Sequence, residues 1–429
     1  MGSKALFRKF GVALASKPKF DLLILLVAMA IAGVLGYAIN IVVKRSVSAP
    51  EFVEFATFWG ALYLGVGLLS GLQQEVTRSA STPLVSEKEK DIPGTKPRQV
   101  VGFGLFITTL GVLLCCLFFL PPNYFGITND VGAGLLLLGL AGYVIVATMT
   151  GLLYGVSNGV KVIAAMIASD ATLRFLLVSL QLQFGYSTTF IELATGIPFL
   201  LVPILIYPYA RKFLTSGLLL VGSPIELMKN SVSTMTAAGA MAFLISGFPL
   251  AIRWSLGSED PGLLATLIFV VTLARAPLII VAMSLQSFLV ARIRQGADSG
   301  GLLSKVGWFL ALFSALFSVA LAATGDIVFS FLAGQSIHVE LGIYLSVGLS
   351  SGLIAAMFVV GASLLAEDNH VAYLTMWLVS AGITLVLCTF DALADLKLAA
   401  ILVFPPSIGL LTALGWATQT RIKDRVRVE

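Results

Sequence analysis

The chain has 429 residues, 58% hydrophobic against 11% charged, with a net charge of +5 and a mean hydropathy of +0.98. Water-soluble domains carry roughly 25% charged residues, so this inventory cannot clothe a water-facing surface for so long a chain. The excess positive charge would suit nucleic acid, yet the basic residues sit between apolar runs and at the ends, where membrane-orientation signals belong.

Lys4, Arg8, Lys9, Lys17 and Lys19 precede the first apolar run, Leu22 to Val43. A cleavable leader has an apolar core of about 7–15 residues, so this longer run reads as a retained first helix. Residues 4–15 form either a short interfacial helix, with Phe7, Phe10 and Leu14 on one side, or a plain cytoplasmic tail. A spanning helix needs about 20 mostly apolar residues. Twelve stretches meet that length, at 22–43, 53–72, 100–120, 132–154, 162–181, 190–210, 231–251, 263–289, 305–323, 341–365, 371–389 and 398–419.

Alternate loops differ sharply in Lys and Arg. Twenty-one lie on the side of the amino terminus, and only Lys44, Arg45, Arg253 and Lys397 on the other. Such a bias places both termini in the cytoplasm, in a bacterial inner membrane. The longest loop, residues 73–99, is mixed in charge, carries Pro83, Pro93 and Pro97, and reads as a solvated connector. No loop is long enough for a folded domain. That weighs against membrane glycosyltransferases and polymerases, and no enzyme's catalytic equipment is visible. Cys115, Cys116 and Cys388 all lie in apolar runs and read as buried thiols, with neither a disulfide nor a metal site implied. His338 and His370 sit near loops with no partner ligands, and no cofactor is expected.

Cutting near residue 215 gives two six-span halves of the same orientation, 1–215 and 216–429. Lys44-Arg45 closes span one and Pro50 opens span two; Arg253 closes span seven and Pro261 opens span eight. Spans two and eight finish with Gln73 to Arg78 and Gln286 to Arg292, and spans six and twelve hold Pro198 and Pro203 against Pro405 and Pro406. The expected fold is therefore all-α and polytopic: about twelve transmembrane helices in two six-helix bundles related by a parallel pseudo-two-fold. Parallel repeats place a substrate site between the halves near the midplane. Pro249 and Pro277, in spans seven and eight, either hinge those helices or are simply tolerated there.

Four patches carry a family resemblance. They are Ser48-Ala49-Pro50-Glu51-Phe52-Val53-Glu54-Phe55 after the first helix, Gly71-Leu72-Gln73 through Arg78 closing the second, Gly151 through Gly155 to Gly159 leaving the fourth, and Gly325-Asp326 through Phe331-Leu332-Ala333-Gly334 after the ninth. Together with the layout, they resemble the polysaccharide flippases of the multidrug/oligosaccharidyl-lipid/polysaccharide exporter superfamily. The lipid II flippases of that superfamily usually have fourteen helices, against room for twelve here. The resemblance implies translocation of a polyprenyl-pyrophosphate-linked oligosaccharide across the cytoplasmic membrane by alternating access, for surface polysaccharide synthesis. Its implied partners are the lipid-linked glycan, membrane lipid and polysaccharide-synthesis proteins, not nucleic acid.

Two basic residues fall inside spans. An arginine at mid-helix costs at least about 2.5–3.5 kcal/mol on insertion scales, so it faces a cavity or a partner. Arg275 lies near the midplane of span eight, two residues before Pro277, with no carboxylate one turn away. Its guanidinium either forks onto phosphate oxygens of the substrate or bonds carbonyls freed by a kink. Arg174 has Asp170 four residues earlier, the favourable order for an intrahelical pair. That pair is either structural or, through Asp170, proton-coupling. Lys44, Arg45 and Arg253 make either an outer basic rim for the pyrophosphate or interfacial anchors. Asn40, Tyr37 and Gln286 line a cavity or bond between helices. The rival functions are a multidrug/cation antiporter of the related branch, a major-facilitator carrier and a non-transporting scaffold. The antiporter tends to need buried carboxylates in the first or seventh helix, where only Asp21 at an edge is found.

Overall fold

In the computed structural model, the described residues are 18–80, 94–119, 130–154, 159–185, 187–212, 214, 220–221, 223–257, 259–294, 299–390 and 394–428. Lys4, Arg8, Lys9 and Lys17 of the amino-terminal basic cluster, residues 81–93 of the 73–99 loop and the side chains of Cys115 and Cys116 lie outside them. The helices, in chain order, are α1 (Pro18–Ser46), α2 (Ala49–Ala80), α3 (Pro97–Phe119), α4 (Asp130–Tyr154), α5 (Gly159–Phe184), α6 (Thr188–Gly196), α7 (Pro198–Ala210), α8 (Pro224–Ile245), α9 (Phe248–Leu256), α10 (Pro261–Arg294), α11 (Ser299–Ala333), α12 (Leu341–Ala366), α13 (His370–Thr389) and α14 (Ala394–Val428). A two-residue ribbon pairs β1 (Gly94–Thr95) antiparallel with β2 (Leu220–Val221).

This is a multi-pass, all-helical membrane protein. Ten helical stretches among the described residues are long and apolar enough to cross a bilayer, or eleven when the bent pair α8 and α9 counts as one. Each expected span has a helical counterpart, with span six divided into α6 and α7 and span seven into α8 and α9. Helix formation is enforced because hydrocarbon offers backbone groups no other partner. Large apolar side chains remain at the protein's own surface, among them Leu205 and Trp308, 70% and 76% exposed. Such residues suit contact with acyl chains.

The ninth span differs most from expectation. It was expected to end near residue 323, before a turn at Gly325-Asp326, but α11 continues to Ala333. The stop is Gly334, whose φ of 69° is left-handed and so available to glycine without a Cβ penalty. Asp326 therefore sits on a helix. It accepts from the Tyr344 hydroxyl (2.9 Å) and the Val339 N–H (3.2 Å), and it pairs with His338 at 2.6 Å.

The Cα atoms group into two compact units. One comprises Met1–Ile39, Leu69–Leu114 and Val131–Met235; the other comprises Asn40–Leu68, Cys115–Asp130 and Thr236–Glu429. The first holds a core of Met149, Leu153, Val162, Ile163, Met166 and Val202. The second is built around α12, whose buried face joins Leu278, Ala282, Phe358, Ala362 and Trp377. Close helix approach there uses small residues, as is usual in membranes. The Ser314 hydroxyl donates to Gly348 O at 3.1 Å, and a Cβ on Gly352 would fall on the Ser314 Oγ. Cys388 is a buried thiol 3.6 Å from Ala251 O.

Because of that contact, Gly352→Val should lower stability by about 2 kcal/mol through overpacking, measured by thermal unfolding in detergent. Gly342→Ala, where a Cβ meets nothing within 4 Å, should be neutral or slightly stabilising.

Candidate functional site

The second unit contains an interrupted span. α8 and α9 meet at a 60° bend. Pro249, at the start of α9, brings no N–H to the ladder. At the break, the Ser246 N–H makes the ordinary helical bond to Ala242 O at 2.7 Å, and the Gly247 N–H goes to the same oxygen at 3.0 Å instead of to Phe243 O. Leu244 lies in the last turn of α8, where carbonyls have no continuing helical donor.

Arg275, on α10, fills that position. Its Nη2 donates to Leu244 O at 2.9 Å, and the guanidinium carbon lies 4.4 Å from the centroid of the Phe248 ring. The side chain is 4% exposed, and its Nε and Nη1 have no hydrogen-bond partner among the described residues. The sequence reading had offered carbonyls freed by a kink as one use for this residue. The carbonyl engaged belongs to the bend near Pro249 on another helix, not to the Pro277 region of its own. What remains is a desolvated cation with two nitrogens free to donate.

The first unit repeats the device with one difference. Arg174, on α5, is 1% exposed and donates through Nη1 to Thr195 O at 2.7 Å. Thr195 is in the last turn of α6, just before the interruption at Ile197 and Pro198. The guanidinium lies 4.2 Å from the Phe199 ring centroid. Here, however, Nη2 also pairs with Asp170 at 2.5 Å. In each unit a buried arginine holds a carbonyl at a break and stacks on a phenylalanine beside the proline. Only Arg174 carries a counter-ion on its own helix.

The expected rim is more dispersed than its sequence placement implies. Arg45 is committed to the end of α11: Nε donates to Leu332 O at 2.7 Å and Nη2 to Phe331 O. Lys44 is 4% exposed, with Nζ 5.0 Å from the Phe52 ring centroid and no ion pair among the described residues. Arg253 reaches Thr57 Oγ1 at 3.5 Å, with Glu54 near enough to act on it electrostatically. Phe52 and Thr57 are five residues apart, which turns them about 140° from each other around α2. Lys44 and Arg253 therefore address different faces of that helix. Lys397 donates to Ser255 O at 2.9 Å. Asn40 is 4% exposed and lies one turn before Lys44 on α1. Of the proposed substrate residues, all five belong to the second unit, and Asp170 and Arg174 to the first.

Three features escaped the sequence reading. Glu192, 6% exposed on α6, is a buried acid one turn before Thr195. Glu75, 2% exposed, takes two hydrogen bonds from Arg78 (2.8 and 2.6 Å) and one from Asn230 (3.4 Å). The carbonyl partners of the two arginines were also invisible, since nothing in an apolar stretch marks which carbonyl will lose its donor. Among the described residues, no three His, Cys, Asp or Glu side chains gather as a metal site.

No protein-family model matches the chain. It is similar to an uncharacterized protein of Mycobacterium bovis and one of Mycobacterium tuberculosis, each 27% identical over 379 residues and covering 84% of both chains. A further Mycobacterium tuberculosis protein, also uncharacterized, is 26% identical over 401 residues, covering 89% of this chain and 88% of its own. Among solved structures, the lipid II flippase MurJ in an inward closed conformation matches with a TM-score of 0.69 at 13% identity, over 92% of this chain and 87% of that one. An inward-facing multidrug resistance transporter of the MATE family matches with a TM-score of 0.60 at 12% identity, over 93% and 98%. The chain therefore shares the overall fold of these two membrane transport proteins.

Breaking a buried ion pair strands a charge, at a cost of about 3–5 kcal/mol. Asp170→Asn should accordingly lower stability by about 3 kcal/mol in detergent unfolding. Adding Arg174→Gln should restore part of that loss.

Proposed function

We propose that this chain, with its exporter-superfamily fold, moves a polyprenyl-pyrophosphate-linked oligosaccharide across a bacterial cytoplasmic membrane by alternating access. A diphosphate and a hydrated glycan cannot cross hydrocarbon unaided, so the carrier must supply fixed positive charge at depth while the lipid tail stays in the bilayer. The observation that carries this reading is the Arg275 guanidinium, buried in the second unit without a carboxylate and with Nε and Nη1 unpartnered. A charge-assisted hydrogen bond to phosphate would satisfy it. The fold likeness to a lipid II flippase supports the substrate class. Halves 1–215 and 216–429 are, in this reading, the two bundles that rock, with both termini in the cytoplasm as the loop charges require.

Lys44, Arg253 and Asn40 mark the outer ends of helices where the pyrophosphate leaves, and Arg45 supports that end by holding α11. Asp170 and Arg174 serve as a structural pair. Polysaccharide-synthesis proteins are the partners that would supply the lipid-linked glycan.

The likeness to a multidrug transporter supports a second reading, export of organic cations. Reconstituted vesicles separate the two. The purified protein should flip a fluorescent polyprenyl-pyrophosphate oligosaccharide and should not export ethidium; the reverse pattern would sink the glycan reading. Loss of one charged hydrogen bond is worth roughly 1.5–3 kcal/mol, so Arg275→Ala should slow flipping by about 10- to 100-fold while the protein still inserts. Arg275→Lys should retain part of the rate.

A further inference from the structure

Two buried arginines do the same mechanical work in different electrical states. Arg174 and Arg275 each donate to a carbonyl at an interrupted span, at 2.7 and 2.9 Å. Each stacks on the phenylalanine beside the proline, at 4.2 and 4.4 Å. Arg174 carries a counter-ion, its Nη2 pairing with Asp170 at 2.5 Å. Arg275 is held to its break by one hydrogen bond and a ring face alone, and an arriving anion would be a far better partner than a single neutral carbonyl.

We propose that Arg275 is a latch on the α8–α9 bend: an anionic diphosphate head that takes the guanidinium releases Leu244 O and lets the span straighten. The inference rests on the substrate reading above and extends it from binding to movement. Once released, Leu244 O takes the Phe248 N–H, its i+4 donor, as the helical ladder closes across Ser246 and Gly247. Both break residues have right-handed or turn backbone, and Gly247 sits at φ −79° and ψ −1°, so straightening needs no left-handed conformation to be undone. Pro249 keeps the ladder one bond short, so the straight form does not dominate while Arg275 holds Leu244 O, and takes over once that hold is lost. The α6–α7 interruption does not respond, because Asp170 already occupies the arginine that holds it.

The bend can be read directly. Spin labels at Thr236→Cys and Gly257→Cys flank it within the second unit, with Cys115, Cys116 and Cys388 replaced by alanine. Straightening a 60° bend across these 21 residue steps, at 1.5 Å each, lengthens the separation by about 4 Å. Inorganic pyrophosphate and farnesyl pyrophosphate should each shift the distance distribution toward the longer value by that amount. Val271→Asp gives Arg275 the carboxylate at the position Asp170 holds for Arg174, and should abolish the shift. Arg275→Gln, which lacks the charge, should be long without any pyrophosphate and change no further.

A wild-type distance insensitive to both probes, or an Arg275→Gln protein as bent as wild type, would overturn the latch. Loss of flipping in Arg275→Ala would then still uphold Arg275 as a substrate residue. A bend that answers pyrophosphate in a protein that flips no glycan would uphold the latch and overturn the substrate.

Discussion

A carbonyl that loses its helical donor inside hydrocarbon has no water to turn to, and this chain meets that constraint with arginine. The breaks after Thr195 and Leu244 each leave an acceptor facing protein interior, where an unpaired amide group costs roughly 1–3 kcal/mol on the protein scale. A guanidinium supplies a rigid fan of donors and a flat face for the adjacent phenylalanine. The 60° bend in span seven, and the proline interruption between α6 and α7 in span six, can persist because of it.

The same choice of residue imports charge. In the first unit that charge is cancelled locally by Asp170, and Glu192 adds a second buried acid nearby on α6. In the second unit it is not cancelled. Arg275, Lys44, Arg253 and Lys397 all lie there, and Glu54 acts electrostatically on Arg253. A protein needing only mechanical support could have used the paired form twice. Within the proposed function, the asymmetry between two otherwise matched clamps answers to a ligand.

The architecture was legible in the sequence because lipid imposes one rule on every segment: length and apolarity suffice to mark a span, and twelve stretches met it. The proline breaks were legible as positions but not as geometry. Pro249 was visible within span seven, yet the 60° bend also involves the Gly247 N–H, which turns to Ala242 O instead of Phe243 O. Arg275 and Arg174 stood out by charge, and the pairing with Asp170 followed from helical spacing. Their carbonyl partners lie 31 and 21 residues away, and no local pattern encodes such contacts. The rim was the weakest inference for a related reason. Charge and topology place Lys44 and Arg253 at one membrane face, but only the azimuth around α2 shows that they point to different sides of it. The end of α11 was misplaced because Gly325 looked like a stop, whereas the left-handed residue is Gly334.

The sign of the uncancelled charge also separates the two transport readings. Two unit charges about 6 Å apart interact by about 3 kcal/mol at an effective dielectric of about 20. An organic cation approaching Arg275 would meet that as a penalty, equivalent to more than a hundredfold loss of affinity. A diphosphate would meet it as a gain, increased by hydrogen bonds that a cation cannot accept. Reversing the preference would require a carboxylate beside Arg275, and α10 offers an apolar Val271 where α5 offers Asp170. Within the proposed transport function, this one position on α10 favours an anion over a cation.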